Sequence, residues 1–158
     1  MNSAVIRQVR AGDLESVLRI ETASFTDPWS FDSFAELLEN DRVFFAGWQE
    51  DGGPEVLGYV VSWHVLDEGE VANVAVTPEA RGRGIGAALL VAALEDARQR
   101  GTRAVFLEVR ESNVAARSLY ERHGFERVGL RKGYYVRPKE DALIMRRDLP
   151  VSDRENTD

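Results

Sequence analysis

The run Arg81-Gly82-Arg83-Gly84-Ile85-Gly86-Ala87 is the stretch whose residue types and spacing bear most directly on chemistry. It follows a strand-like segment, Glu70–Thr77, closed by Pro78, and it opens a helical stretch that reaches about Arg100. Three glycines let a backbone approach a ligand closely, and the first N–H groups of a helix point outward without partners of their own. Such an end attracts phosphate, and Arg81 and Arg83 add positive charge beside it. A structural turn would explain the glycines alone; glycines, arginines and a helix start together favour phosphate. The run lacks the lysine and hydroxyl of a P-loop, which argues against a nucleoside triphosphatase. Gly82-x-Gly84-x-x-Ala87 does satisfy a dinucleotide fingerprint, with Glu108 on the next strand as a ribose ligand would be. Position argues against that reading. A dinucleotide fold places its loop after the first strand, whereas about half of this chain precedes the run and little βα pattern follows it.

The elements that must carry this loop can be read in order. Ala4–Arg10 alternates like a strand, and Asp13 is placed to cap a helix with apolar positions Leu14, Val17, Leu18 and Ile20. Pro28-Trp29-Ser30 breaks the chain, and Ser30 can cap a second helix carrying Phe31, Phe34, Leu37 and Leu38. Arg42–Gln49 and Glu55–Val65 form a hairpin about the turn Asp51-Gly52-Gly53-Pro54. After the glycine loop and its helix, Gly101 supplies a C-cap. A strand over Arg103–Val109 precedes a helix from Asn113 to about His123, ended by Gly124, and strands near Phe125–Arg131 and Ala142–Asp148 complete the set. The order β-α-α-β-β-β-α-β-α-β-β predicts an α/β (α+β) domain: a mixed, largely antiparallel sheet with helices on both faces. Residues 1–149 are expected to be one domain and 150–158 a polar, disordered tail.

Composition narrows the classes. The 158 residues, 44% of them hydrophobic, can build one ordinary core. The absence of cysteine removes disulfides, thiolate metal ligands and a cysteine nucleophile. His64 and His123 are too few and too far apart for a zinc site and read as structural, so no metal is expected. The longest apolar run, Ala87–Leu94, is too short to span a bilayer, and the N-terminus lacks the apolar core of a signal peptide. A cytoplasmic location away from membranes is expected. The net charge of −7 argues against nucleic acid as a partner. Charge is also divided: Asp13–Glu55 carries two basic and eleven acidic residues, Arg81–Arg147 fifteen basic and eight acidic. That division suits two ligands of opposite charge, or a solvated surface that is simply uneven.

Arg81-x-x-Gly84-x-Gly86, together with this element order, resembles the pyrophosphate loop of the GNAT superfamily of N-acetyltransferases. Further blocks narrow the resemblance to the RimI-like branch, bacterial enzymes acting on the N-terminal alanine of a small-subunit ribosomal protein. These blocks are Pro28-Trp29-Ser30, the Asn73–Val76 strand, Leu107-Glu108-Val109-Arg110-x-Ser112-Asn113-x-Ala115-Ala116, Leu119-Tyr120-Glu121-x-x-Gly124-Phe125, Arg131-x-x-Tyr134-Tyr135 and Glu140-Asp141-Ala142-x-Ile144-Met145. The resemblance covers about residues 4–149. It implies acetyl-coenzyme A as cosubstrate, its pantetheine arm against the backbone of Val74, Ala75 and Val76. Its pyrophosphate would be held by Arg81, Gly82, Arg83, Gly84, Ile85, Gly86 and Ala87, with a further contact from Asn113. The resemblance also implies Glu108 as general base and Tyr120 as general acid. Trp29 and Tyr134 match positions near the acceptor groove, although packing is the expected role of Trp29. Of Tyr134 and Tyr135, one should face the groove and one inward, because strand neighbours point to opposite sides.

The chemistry is consistent with those roles. Only a neutral amine attacks a thioester, and an α-amine, with a pKa of about 7.7–8.0, needs far less help than lysine at about 10.4. A carboxylate at a strand end such as Glu108 could take the proton directly or through one water. Beside Arg110, an ion-paired surface glutamate is the competing reading. Asn113, Arg117 and Tyr120 share a helix face by their i, i+4, i+7 spacing, which aligns the Tyr120 phenol with a ligand near that helix start. Without cysteine, direct transfer in a ternary complex is the simplest scheme. The expected partner is a protein N-terminus, that of a basic ribosomal protein suiting the acidic N-terminal half. The alternatives are an acetyltransferase for lysine or a small amine, and a non-catalytic acyl-coenzyme A sensor, against which the presence of both Glu108 and Tyr120 argues. Oligomeric state is not legible in the sequence.

Overall fold

The computed structural model describes residues 3–150. It contains strands β1 (Ala4–Gln8), β2 (Val43–Glu50), β3 (Gly58–Val65), β4 (Glu68–Val76), β5 (Ala104–Arg110), β6 (Glu126–Val136) and β7 (Lys139–Asp148). The helices are α1 (Leu14–Ser24), α2 (Phe31–Leu37), α3 (Ile85–Gln99) and α4 (Val114–Arg122). Their order agrees with the one expected from periodicity and turn residues. The tail expected from residue 150 lies, from 151 onward, outside the described residues.

Local chemistry sets most boundaries. Ser30 accepts a hydrogen bond from the Ser33 N–H at 3.1 Å and so caps α2, as predicted. Asp13 does not cap α1: its carboxylate is taken by the Arg7 guanidinium through two bonds of 2.8 and 2.9 Å and by the Arg10 N–H. A 3-10 turn over Ala11–Asp13 leads into the helix instead. Gly101 and Gly124 both take positive φ where α3 and α4 end, a conformation costly for residues with a Cβ. The last hairpin is longer than expected, because Lys132-Gly133 and Lys139-Glu140-Asp141 lack the apolar alternation that marks a strand, whereas beyond a slip in register Tyr135 and Val136 still pair with Glu140 and Lys139.

The seven strands form one sheet in the order β1-β2-β3-β4-β5-β7-β6, antiparallel except for β4 and β5. Two cores lie on opposite faces. Val60, Val71, Leu107, Val109, Leu143 and Met145 pack with Leu89, Leu90 and Ala93 of α3. Phe45, Tyr59, Val61 and Ala75 pack with Leu14, Val17 and Ile20 of α1 and Phe34 of α2. Among the described residues no helix is long and apolar enough to cross a membrane.

The feature that positions the site lies between β4 and β5. They pair only over Glu68–Glu70 and Ala104–Phe106. Beyond that point β4 bonds to β3 alone and β5 to β7 alone, so two backbone edges part. A bulge in β4, where Val61 opposes Asn73 and Ser62 opposes Val71, leaves Ala72 unpaired and bends the strand.

Candidate active site

The parted edges carry on one side the backbone of Val74–Val76 and on the other the β5 residues Leu107–Arg110. Val74 and Val76 point to the α3 face, as do Leu107 and Val109, whereas Ala75 belongs to the core on the α1 face. Glu108, alternating with Leu107 and Val109, projects from the opposite side of β5, toward α1 and α2. Tyr120 of α4 packs on the α3 face, its ring edge-on to Phe125 at 5.9 Å. The carboxylate and the phenol that the sequence singled out therefore come to the same gap from opposite faces of the sheet.

The glycine loop stands at the mouth of that gap. Gly82 and Gly84 have φ of +82° and +81°, and Gly84 is the N-cap of α3, so both positions disfavour any residue with a Cβ. A Cβ built on either would meet nothing within 4 Å, so the loop presents bare backbone to open space. With Ala88 bonded back to Gly84, the N–H groups that open the helix have no intrahelical partner. On α4, the Asn113 side chain accepts from the Ala116 N–H at 3.1 Å, and on the same face Arg117 Nε is buried without a hydrogen-bond partner. Unpaired N–H groups, a backbone cradle and a free strand edge fit a ligand with a pyrophosphate and an amide-bearing arm. The two loop arginines differ. Arg81 Nε donates to the Val76 carbonyl at 3.1 Å and its Nη2 to Ser24 Oγ at 3.2 Å, tying the loop to β4 and α1. Arg83 pairs with Glu50 and lies 5.4 Å over the Trp48 ring.

On the α1 face, Glu108 Oε1 accepts from Arg131 Nη1 at 2.6 Å. In the competing reading Glu108 is an ion-paired glutamate beside Arg110; its ion pair is with Arg131 instead, and Arg110 turns to the β6–β7 end. Its guanidinium donates to the carbonyls of Arg137 and Pro138, each at 3.0 Å, and to Thr26 Oγ1 at 3.3 Å. Thr26 itself donates to the Arg137 carbonyl, so the α1–α2 loop and the β6–β7 turn are joined beside the gap.

Tyr134 and Tyr135 do not divide between two sides of their strand as alternation predicts. Their rings meet edge-on, with centroids 5.0 Å apart, because the β6 register slips between Arg131 and Tyr135 and Gly133 takes positive φ. Arg131 lies over Tyr134 at 4.5 Å and Arg110 over Tyr135 at 4.2 Å. Burial, then the nearby Glu108 carboxylate, raises the Tyr134 phenol above its ordinary value. Tyr135 is pushed up to about 12, by burial first and then by Glu108 and Tyr134. Tyr120 is likewise pushed up to about 12, by burial alone, so its phenol keeps its proton at neutral pH. Trp29 stacks on Trp63 at 5.9 Å and tilts against Phe34 at 5.4 Å.

Two residues of this region, Arg131 and Glu21, carry no role in the sequence analysis, and Arg110 enters it only as a neighbour of Glu108. Glu21 is fully buried and raised above the usual carboxylate range by burial. A signal for it existed, since Glu21 falls on the apolar stripe of Leu14 and Val17, where a charge is out of place. Arg131 and Arg110 had no comparable signal, because their partners lie 23 and 28 positions away.

The Acetyltransferase (GNAT) family model matches residues 14–125. A Bacillus subtilis (strain 168) relative, provisionally named a ribosomal protein bS18-alanine N-acetyltransferase, is 41% identical over 143 residues, 90% of this chain and 93% of its own. The Escherichia coli (strain K12) ribosomal protein bS18-alanine N-acetyltransferase is 34% identical over 149 residues, 93% of this chain and 97% of its own. The crystal structure of the E. coli ribosomal-protein-S18-alanine N-acetyltransferase superposes with a TM-score of 0.85 at 32% identity, covering 95% of this chain and 96% of that one. With a phosphate-type loop, a parted pair of strands and a match to that family over most of its length, the chain belongs to the GNAT family of acetyltransferases.

Proposed function

We propose that the enzyme transfers the acetyl group of acetyl-coenzyme A to the N-terminal α-amine of a protein, specifically the N-terminal alanine of ribosomal protein bS18. The relatives with that activity in their names cover nine-tenths or more of this chain, which supports the substrate. A ribosomal substrate puts the reaction in the cytoplasm.

The observation that carries the mechanism is the opposed placement of Glu108 and Tyr120 about one gap in the sheet. The backbone of Val74–Val76 receives the pantetheine arm, as a further strand would be received, and Gly82–Ala87 and Asn113 receive the phosphates. The acceptor amine arrives from the α1 face. Glu108 takes its proton, directly or through a water, while nitrogen attacks the thioester carbon. The C–S bond then breaks, and the coenzyme A thiolate takes the Tyr120 proton. Proton transfer at both ends is supplied by side chains, and the scheme needs neither a metal nor a covalent enzyme intermediate. Tyr134 lines the acceptor path, whereas the stacking of Trp29 on Trp63 supports a packing role.

The test is mass spectrometry of a short basic peptide beginning with alanine, incubated with enzyme and acetyl-coenzyme A beside an N-terminally blocked copy containing lysine. Label confined to the free terminus is the expected result. Label on the blocked copy would shift the substrate to lysine, and no label on either would leave a small amine or a sensor role.

A further inference from the structure

Glu21 takes no part in the chemistry above, yet it is the most fully enclosed carboxylate among the described residues, with 1% of its surface exposed. All of its partners donate to it. Its Oε2 accepts the backbone N–H of Trp29 at 2.8 Å. Its Oε1 accepts from Asn73 Nδ2 at 2.8 Å and from the Tyr59 hydroxyl. No arginine, lysine or histidine forms an ion pair with it among the described residues, so these three donors alone satisfy the buried group.

The partners belong to three different pieces of the acceptor side. Trp29 is in the α1–α2 loop, three residues beyond Thr26, which meets the β6–β7 turn. Tyr59 lies in the core of the α1 face. Asn73 directly follows the bulged Ala72, just past Glu70, where β4 leaves its pairing with β5, and precedes Val74, the first of the three residues proposed to receive the pantetheine arm. The bulge is what brings Asn73 to this face: Val71 and Val74 belong to the α3 core, while Ala72 packs with the α1 core. One carboxylate thus spans the distance between the loop flanking the acceptor path and the strand edge at which transfer occurs. Apolar side chains of similar size would fill the same space without the cost of burying a charge, and core packing alone gives no reason for a glutamate here.

We propose that Glu21 is a positioning residue for the acceptor: it holds the Thr26–Ser30 loop against the bulged start of the free β4 edge, so that the incoming amine meets the thioester in line. It does so through Trp29 and Asn73, and it touches neither substrate. This rests on the reading that the acceptor is a protein N-terminus entering from the α1 face.

The test is Glu21→Gln in the full chain. The amide keeps one accepting oxygen and turns an NH2 group toward a donor set in which, as oriented, only the Tyr59 hydroxyl can accept, so the Trp29 or the Asn73 bond is lost. Expected are a rise in KM for the alanine peptide of about tenfold and a fall in kcat, with acetyl-coenzyme A affinity by calorimetry within about twofold of wild type. Asn73→Ala, which leaves the Trp29 bond in place, should move the peptide KM in the same direction. Tyr59→Phe, which removes only the bond into the core, should lower the melting temperature and leave the peptide KM nearly unchanged. A melting temperature that falls in Glu21→Gln and Asn73→Ala while both peptide parameters stay at wild-type values would overturn the positioning role. Loss of acetyl-coenzyme A affinity in step with peptide turnover would overturn it too. Wild-type enzyme assayed alongside separates the two levels: failure of wild type to acetylate the peptide removes the acceptor reading and this role with it. Transfer by wild type matched by Glu21→Gln removes this role alone.

Discussion

On the α3 face of the parted strands, the residues proposed for the cosubstrate are, Asn113 apart, nearly contiguous: Val74–Val76, then the loop and first turn of α3 from Arg81 to Ala87. On the α1 face, the acceptor side is assembled from Thr26 and Trp29, Glu108 and Arg110, and Arg131 to Tyr135. The first face works mainly with backbone, through N–H groups at a helix start and a free strand edge. The second works with side chains held in ion pairs, stacked rings and one buried carboxylate. A ligand read by backbone leaves a compact glycine signature, whereas a site built from side chains far apart in sequence leaves its parts scattered.

If the two faces are separable, a change on one should spare the other. Glu108→Gln is the severest trial. It removes the proposed base but keeps an oxygen able to accept from Arg131, whose bond to Glu108 is 2.6 Å. We expect peptide turnover at neutral pH to fall about 10²-fold, the scale of a lost general base, with acetyl-coenzyme A affinity nearly intact. Steady-state kinetics and calorimetry on the same preparation check this. An equal loss of cosubstrate binding would mark Glu108 as structural and join the faces into one unit.

Gly86→Ala tries the other face, with a smaller effect. Its added Cβ would stand 3.8 Å from Val76 Cγ2 and 3.9 Å from a Leu119 methyl, ordinary contact distances, and its φ is not in the left-handed region. Alanine in a helix is favoured over glycine by about 0.5–1 kcal/mol, so the ligand-free protein should gain stability of that order in urea unfolding. The same methyl narrows the approach between β4 and α4, and acetyl-coenzyme A affinity should fall. Greater stability with undiminished affinity would mean that the ligand does not pass Gly86.

The same contrast explains how much was legible beforehand. Element order followed from periods of two and 3.6, from Ser30 as a cap and from Gly101 and Gly124 as stops, all of them local signals. The Asp13 cap failed because Arg7, six residues upstream, offers the carboxylate two charge-assisted bonds. The split of Tyr134 and Tyr135 failed because alternation assumes a regular strand, and a slip in register near Gly133 turned both rings together. The competing reading of Glu108 as an ion-paired glutamate beside Arg110 missed the actual partner for a related reason: Arg131 becomes a neighbour only through β7, which lies between their strands.

The smallest effect should come from the end of the sheet where β4 and β5 remain paired. There His64 is buried, its Nδ1 3.3 Å from Thr102 Oγ1 and its Nε2 3.3 Å from Ser62 Oγ and 3.5 Å from Asp96. Burial first, then the Arg100 charge, lowers its pKa below the ordinary histidine value, against the opposing pull of Asp96. The folded protein therefore holds His64 neutral where the unfolded chain, titrating at about 6.5, already binds a proton. Its contribution to stability is complete above that value and is lost as pH falls from there through the lower folded value. The slope is bounded at about 1.4 kcal/mol per pH unit for one proton. Urea unfolding at pH 7.5 and 5.5 should show wild type losing stability toward acid and His64→Gln losing less. Peptide and acetyl-coenzyme A KM at neutral pH should stay near wild type in that variant, because the paired end of the sheet carries neither face of the gap. A shift in either KM would mean that pairing at Glu68–Glu70 sets how far the strands part, and the two faces would then share a hinge at His64.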